Sequence, residues 1–394
     1  MKILVVCQHY RPEPFRIADI CEGLTAMGHQ VTVVTGVPNY PEGEIYPGYE
    51  GCWGKDTVEN GVRVHRCYTI PRKTGTIRRI LNYFSFPITS CGYISRIKEA
   101  YDVVLVHQLS PVMMAAAGIK YGKKWNKKTL LYCLDLWPES LTAGGISRDS
   151  LIFRIFRVLS RRIYNRVDKI MVTSRGFADY FRDELGLAVD CEYLPQYAET
   201  IFDNVTDKQP HDGPYHFVFA GNVGEVQSVE TIIGAAKLLE ADRRAVFHIV
   251  GDGSDLVSCR EMAEELPNVI FYGRRDIQEM IEFYEMADAM LVTLKDNSGI
   301  AATLPGKVQS YMAAGKAILG AIGGETARVI RDAGCGACSA PEDSEAMAAQ
   351  IRVMLDDPES FRVYGRKARA YYHEHFRKEA FFQRLDAALR ECTK

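Results

Sequence analysis

Short apolar runs alternate with amphipathic segments along nearly the whole chain, the pattern of repeated βα units around parallel sheets. In the first half "KILVVC", "QVTVVTG", "VRVHRC", "DVVLVH", "TLLYCL" and "KIMVTS" read as strands, with helical periodicity over 16–27 and 151–167. In the second half "YHFVFAGN", "AVFHIVGDG", "VIFYG", "AMLVTL" and "AILGAI" read as strands, separated by helices such as 229–240 and 276–286. Between the two series, "ETIFDNVTDKQPHDGP" (199–214) carries Pro, Gly and Asp without an apolar period, which predicts a linker. From residue 359 onward a long amphipathic helical pattern belongs to neither series. The expected architecture is α/β. Two Rossmann-like, doubly wound domains, 1–198 and 215–365, face one another across a cleft, and a helical segment at 366–394 crosses back to the first. Ligands of such domains bind at the carboxyl ends of the strands.

Length and composition agree with two soluble domains. The 394 residues exceed one ordinary core, and 47% hydrophobic with 25% charged residues excludes a disordered chain. The net charge of −2 hides an asymmetry: residues 1–200 hold 26 Lys+Arg against 20 Asp+Glu, residues 201–394 hold 22 against 30. The basic first half therefore expects an anionic partner. Eleven cysteines without a ladder of spacings read as reduced thiols of a cytoplasmic protein. Cys335 and Cys338 form one C-x-x-C with no second pair for a zinc site. No signal peptide is read at the start, where the five-residue run "KILVV" meets "QHYRPEPFR". The longest apolar span, "DVVLVHQLSPVMMAAAGI", is broken by His107, Gln108 and Pro111, so no membrane-spanning helix is expected.

One stretch runs against ordinary helix chemistry. In "ATLPGKVQSYMAAGKAILG" (302–320), Pro305 and Gly306 end one segment, a small-residue helix follows, and Lys307 stands in its first turn. A cation there opposes the helix dipole, whereas the unpaired N–H groups and partial positive charge of a helix start favour an anion. Lys307 is therefore a candidate phosphate ligand. A solvated lysine at a helix start is the alternative.

Other loop ends of the second half fall on the same rim. "FAGNVGEVQS" places Gly221, Asn222, Gly224 and Gln227 after a strand; "VGDG" (Gly251, Asp252, Gly253), "YGRRD" with Arg274, and "LPGK" (Leu304, Pro305, Gly306, Lys307) complete the set. Singly each reads as a turn; together they read as a nucleotide-diphosphate pocket. The G-x-G-x-x-G fingerprint is missing after the first strand, no Walker A motif is present, and no D-x-D occurs to hold a sugar nucleotide through a divalent cation. No metal and no tightly held cofactor are expected.

The segments "FAGN…EVQSVETIIGAAKLL", "IVGDG" and "LPGKVQSYMAAGKAILGAIGGETARVI" resemble the family 4 glycosyltransferases of GT-B fold. "YRPEPFRIADICEGLTAMGHQVTVVTGVPNYPEG" and "DLWPESL" resemble the bacterial surface-polysaccharide branch that includes WbuB-like L-fucosamine transferases. The resemblance covers nearly the whole chain. It implies a retaining transfer from a UDP-sugar, with the leaving phosphate taking the acceptor proton, and a histidine, here His107, at the donor sugar. Two features depart from the family pattern. Ala302 and Ser310 stand where the E-x7-E glutamates are common, and Asn222 with Gln227 replaces the Arg and Lys expected after the first strand of the second domain. Lys307 with Asn222 and Gln227 is then expected at the diphosphate. Glu325, in "GGETA", is a candidate for a ribose or sugar hydroxyl or for an N-terminal capping role.

On the first domain, Glu13, Arg16, Asn39, Asp135 and Glu139 lie on neighbouring loop ends and are candidates to orient an acceptor or, for Glu13, to accept its proton. Trp53 and Trp137 are candidates for stacking on sugar rings or for core packing. Residues 72–98 carry six Lys+Arg and no acid among aromatic side chains, and 148–166 carry six Arg against Asp149. Such stretches suit an anionic membrane surface or a solvated basic helix face; no nucleic-acid recognition module accompanies them. The expectation is a hexosyltransferase acting on a lipid-linked saccharide at the inner face of the cytoplasmic membrane. A UDP-sugar 2-epimerase on the same fold and a non-catalytic UDP-sugar or lipid-binding subunit are the rivals.

Overall fold

The runs rich in Val, Ile, Leu and Phe form two separate sheets, each in its own unit: residues 1–194 with 382–394, and residues 195–381. The computed structural model describes residues 1–73, 75–296 and 298–394. In unit 1 the strands are β1 (Lys2–Val6), β2 (Gln30–Gly36), β3 (Asp56–Glu59), β4 (Val62–Cys67), β5 (Val103–Gln108), β6 (Thr129–Cys133), β7 (Lys169–Val172) and β8 (Cys191–Tyr193). Its helices are α1 (Ile17–Ala26), α2 (Thr76–Arg96), α3 (Ala116–Trp125), α4 (Leu151–Tyr164) and α5 (Arg175–Asp183). The sheet order is β3-β4-β2-β1-β5-β6-β7-β8. Every neighbouring pair is parallel except the β3–β4 hairpin. That hairpin turns on Asn60 and Gly61, with φ of 48° and 81°, as a two-residue Asn-Gly loop requires.

In unit 2 the strands are β9 (Tyr215–Ala220), β10 (Ala245–Val250), β11 (Val269–Gly273), β12 (Ala289–Thr293), β13 (Ala317–Ala321) and β14 (Gly336–Ser339). They form a wholly parallel sheet in the order β11-β10-β9-β12-β13-β14. Its helices are α6 (Val229–Leu238), α7 (Leu256–Met262), α8 (Met280–Met286), α9 (Ser298–Ala301), α10 (Gly306–Ala313), α11 (Gly324–Ala333), α12 (Ser344–Asp356) and α13 (Glu359–His375), and α14 (Lys378–Glu391) leads back into unit 1. Both faces of this sheet are covered. Phe217 and Phe219 of β9 enter one apolar core, and Val218 and Ala220 enter the other. A strand buried on both faces reads as a continuous apolar run, which is why these strands were conspicuous in the sequence.

Two expected boundaries move. The segment 199–214 is not a linker, because the units divide between Leu194 and Pro195. Residues Thr200–Asn204 form a 3-10 turn, Phe202 and Val205 are buried in the unit 2 core, and Phe202 stacks on Tyr284 with 4.4 Å between ring centres. The return to unit 1 begins at Phe382 and not at 366, since Ala368, Tyr372 and Phe376 anchor α13 in unit 2. Phe382 then fills the space beside Gly23, where an added Cβ would lie 2.2 Å from its ring. Asp386 pairs with His29 at 2.9 Å and Lys169 with Glu391 at 2.7 Å. No helix among the described residues is long and apolar enough to cross a membrane.

Candidate active site

In unit 2 the strand order reverses between β9 and β12, which makes the carboxyl ends of these strands the ligand-binding position of a doubly wound sheet. The loops there are tied backbone to backbone: Val223 N–H donates to the Asp252 carbonyl at 2.9 Å, and Gly251 N–H to the Gly273 carbonyl at 2.9 Å. A Cβ at Gly251 would lie 1.7 Å from the Gly221 carbonyl oxygen, and one at Gly253 would lie 2.2 Å from that of Val223. These two glycines are thus explained by the approach of one loop to another. Asp252 accepts a hydrogen bond from Gly253 N–H at 2.8 Å and shapes its own turn.

Gly221 is different, because its missing side chain makes room for Lys307. A Cβ there would stand 2.6 Å from Lys307 Nζ. The ammonium lies 4.0 Å above the centre of the Phe219 ring and has no hydrogen-bond partner, although it is buried. Burial without a counter-charge pushes its pKa down to about 7. Lys307 belongs to the first turn of α10, just after Pro305, where helix N–H groups lack partners within the helix. Both features favour an arriving anion.

The remaining unit 2 candidates divide. Asn222 Nδ2 donates to Gln227 Oε1 at 2.9 Å, forming one exposed amide pair. Leu304 is buried in the core, and Arg274 is exposed at the end of β11. Glu325 is buried in the first turn of α11. One of its oxygens accepts from Arg328, and the other has no partner. Neither Glu325 nor Arg274 is hydrogen-bonded to Lys307. Sequence reading missed Glu199, whose carboxylate accepts from the Ser310 hydroxyl at 3.3 Å. A carboxylate is thus present beside position 310 although residue 310 is not acidic. The signal was hidden because Glu199 lay in the stretch read as a linker.

In unit 1 the strand order reverses between β1 and β5. His107, near the end of β5, is 1% exposed, and neither ring nitrogen has a hydrogen-bond partner; burial lowers its pKa to about 3, so the imidazole is neutral. Glu13 is buried as well, yet its carboxylate is fully occupied. It accepts from Asn39 N–H at 2.9 Å, Tyr40 N–H at 2.8 Å and Tyr10 N–H at 3.2 Å, and pairs with His9 Nδ1 at 2.9 Å. His9, stacked on Phe15 with 4.9 Å between centres, went unnoticed in the sequence because an isolated histidine carries no pattern. Asn39 is buried, donates to the Val37 carbonyl at 2.9 Å and accepts from Arg72 N–H at 3.1 Å. Arg16, half-buried, stands at the N-cap position of α1 without a side-chain capping bond.

The "DLWPES" residues are also held by internal bonds. Asp135 accepts from the hydroxyls of Ser110 and Ser140, while burial raises its pKa. Glu139 accepts from Tyr180 at 2.7 Å and from Arg148 at 2.8 Å. Trp137 is 1% exposed and donates to Ser110 at 2.6 Å, so its ring is core and cannot stack on a sugar. Trp53 is exposed beside Tyr68. Cys335 is buried and Cys338 lies on β14, which gives that C-x-x-C a place in the sheet.

Two family profiles match this architecture: a glycosyl transferase 4-like domain over residues 15–195 and a glycosyl transferases group 1 domain over 202–371. The chain belongs to the glycosyltransferases, and its two parallel-sheet domains are those of the GT-B fold. It is similar to the Escherichia coli (strain K12) protein WcaI, assigned to colanic acid biosynthesis as a glycosyl transferase, with 26% identity over 90% of this chain and 92% of that one. Among solved structures it is similar to the sucrose-phosphate synthase of Thermosynechococcus elongatus (TM-score 0.75, 16% identity, 99% and 98% of the chains covered). It is also similar to Anabaena HepE in complex with UDP (TM-score 0.73, 13% identity, 99% and 100% covered).

Proposed function

We propose that this glycosyltransferase moves a hexose, N-acetylated or deoxy as in the L-fucosamine type, from a UDP-sugar to a lipid-linked saccharide. The transfer is retaining and independent of metal, and serves capsule, O-antigen or exopolysaccharide assembly at the inner face of the cytoplasmic membrane. The observation that carries this reading is the buried, unpartnered ammonium of Lys307 at the start of α10. The UDP bound by HepE and the polysaccharide assignment of WcaI support it.

In the proposed step, the acceptor oxygen bonds to the anomeric carbon as the bond from that carbon to the phosphate oxygen breaks. The electron pair leaves with the diphosphate, which also takes the acceptor proton. Charge therefore grows on the phosphate oxygens, where Lys307 and the α10 N–H groups stabilise it more than in the ground state. Asn222 and Gln227 supply amide contacts beside it, and the Glu199–Ser310 pair or Glu325 takes a hydroxyl of the donor. Glu13, with its donors already in place, is a positioning residue that shapes the His9 loop and not the acceptor of a proton.

The test is a titration of the purified protein with UDP in the presence of EDTA, comparing wild type with Lys307→Ala. The expected outcome is metal-free binding weakened at least about tenfold by the substitution, which corresponds to roughly 1.4 kcal/mol. No binding of UDP, or an unchanged affinity in the variant, would refute the assignment.

A further inference from the structure

Unit 1 carries two exposed apolar stripes that its own core does not use. On α2, Ile80, Phe84 and Ile88 follow one another at i, i+4 and i+8 and are 48%, 41% and 69% exposed. On α4, Leu151, Ile155 and Val158 follow at i, i+4 and i+7 and are 73%, 56% and 52% exposed. Residues three, four, seven and eight apart share one helix face, so each set is a continuous stripe. The opposite face of α4 is buried through Phe153, Ser160 and Ile163, which makes the outer stripe surplus to folding.

The two helices are held together. Both pack on the turn Val112–Ala115. Trp137 lies edge-on to Tyr83 of α2 at 6.0 Å and to Phe156 of α4 at 5.4 Å, joining them through a buried ring. The charge on the surface has one sign: neither 72–98 nor 150–166 contains an acid. Thr74, within the first stretch, lies outside the described residues. Among the described residues, Arg78, Arg79, Arg154 and Arg162 form no ion pair with a carboxylate. By contrast, Arg157 is engaged with the Glu184 carbonyl.

We propose that α2 and α4 together form an interfacial platform that inserts its apolar stripes into an anionic lipid bilayer, with the unpaired arginines at the headgroup phosphates. Apolar residues flanked by Arg, on helices neither of which is long and apolar enough to cross a membrane, are the composition of such a surface. A second copy of this chain would set like charge against like. A nucleic acid would meet the arginines but leave the stripes in water. The platform deepens the lipid-linked side of the function proposed above. It is read out without turnover, so its failure and a failure of the UDP assignment are separate results.

The experiment is co-sedimentation of the full chain with phosphatidylcholine vesicles, with and without phosphatidylglycerol. Binding to the phosphatidylglycerol vesicles is expected. Ile80→Glu with Ile88→Glu, and separately Leu151→Glu with Ile155→Glu, are each expected to weaken it at least about tenfold. Arg154→Gln with Arg162→Gln is expected to reduce the preference for the anionic vesicles. Val257→Glu with Val353→Glu, equally exposed apolar positions in unit 2, is expected to change nothing. Thermal unfolding of each variant checks its folding. Wild type that ignores phosphatidylglycerol vesicles, or stripe variants that bind like wild type, would overturn the proposal. So would a dimer that the α4 variant dissolves without any vesicle binding, which assigns the face to a second copy.

Discussion

The carboxylate of Glu13 and the ammonium of Lys307 are both buried charged groups at the carboxyl ends of parallel sheets, and their surroundings are opposite. Glu13 has three backbone N–H groups and an imidazole on its two oxygens. Lys307 has an aromatic ring below it and no hydrogen-bond partner. A group whose hydrogen-bonding capacity is filled from within the fold has been used to build the fold. A group left bare in a dry site lowers the stability of the empty protein and is compensated only when a ligand arrives. On this criterion unit 1 uses its "RPEP" and "DLWPES" carboxylates for construction, while unit 2 keeps its cation in reserve.

The contrast yields graded expectations. The largest effect belongs to Glu13→Ala, which leaves the N–H groups of Tyr10, Asn39 and Tyr40 without their acceptor and is expected to lower stability by about 3 kcal/mol or more. Denaturant unfolding measures that loss, and UDP affinity should not change. A catalytic role would show the reverse. Lys307→Met should act in the other direction, raising the stability of the ligand-free protein by about 1–2 kcal/mol because a bare buried charge is replaced by an apolar chain. A destabilised methionine variant would mean that the ammonium already has a partner in the fold.

The smallest effect is a proton. The native Lys307 pKa of about 7 lies below the ordinary 10.5, so between those values the unfolded chain holds a proton that the folded chain has released. Stability of the empty protein attributable to this group therefore rises as pH increases across that window. A bound diphosphate restores the charge. At pH 8, UDP binding is expected to take up as much as about one proton in wild type and none in Lys307→Met. Calorimetry in two buffers of different ionisation enthalpy reads this directly.

Much of the fold was legible because strands covered on both faces must be uninterrupted apolar runs. The elements that escaped were those without that constraint: β3 is an exposed hairpin strand, β8 has three residues, and β14 opens on Gly336. Phe202 was hidden among Asp, Asn and Thr, so a buried turn passed for a linker. Lys307 could be singled out because a cation at a helix start contradicts the dipole. The state of Glu13, Asn39, Asp135 and Glu139 could not, since a polar residue at a strand end looks the same whether its donors come from substrate or from loops distant in sequence. Gly251 and Gly253 misled for the same reason: the backbone they admit belongs to the neighbouring loop.

The return of the chain at Phe382 has a consequence for biosynthesis. Unit 1 is interrupted by the whole of unit 2, and the Phe382 ring beside Gly23 and the Asp386 partner of His29 are made 188 and 192 residues after Leu194. At ribosomal speeds of about 5–20 residues per second, the first sheet waits roughly 10–40 s for its closing pieces. During that interval unit 2 emerges and has time to fold first. The amino-terminal half is thus the first synthesised and the last completed.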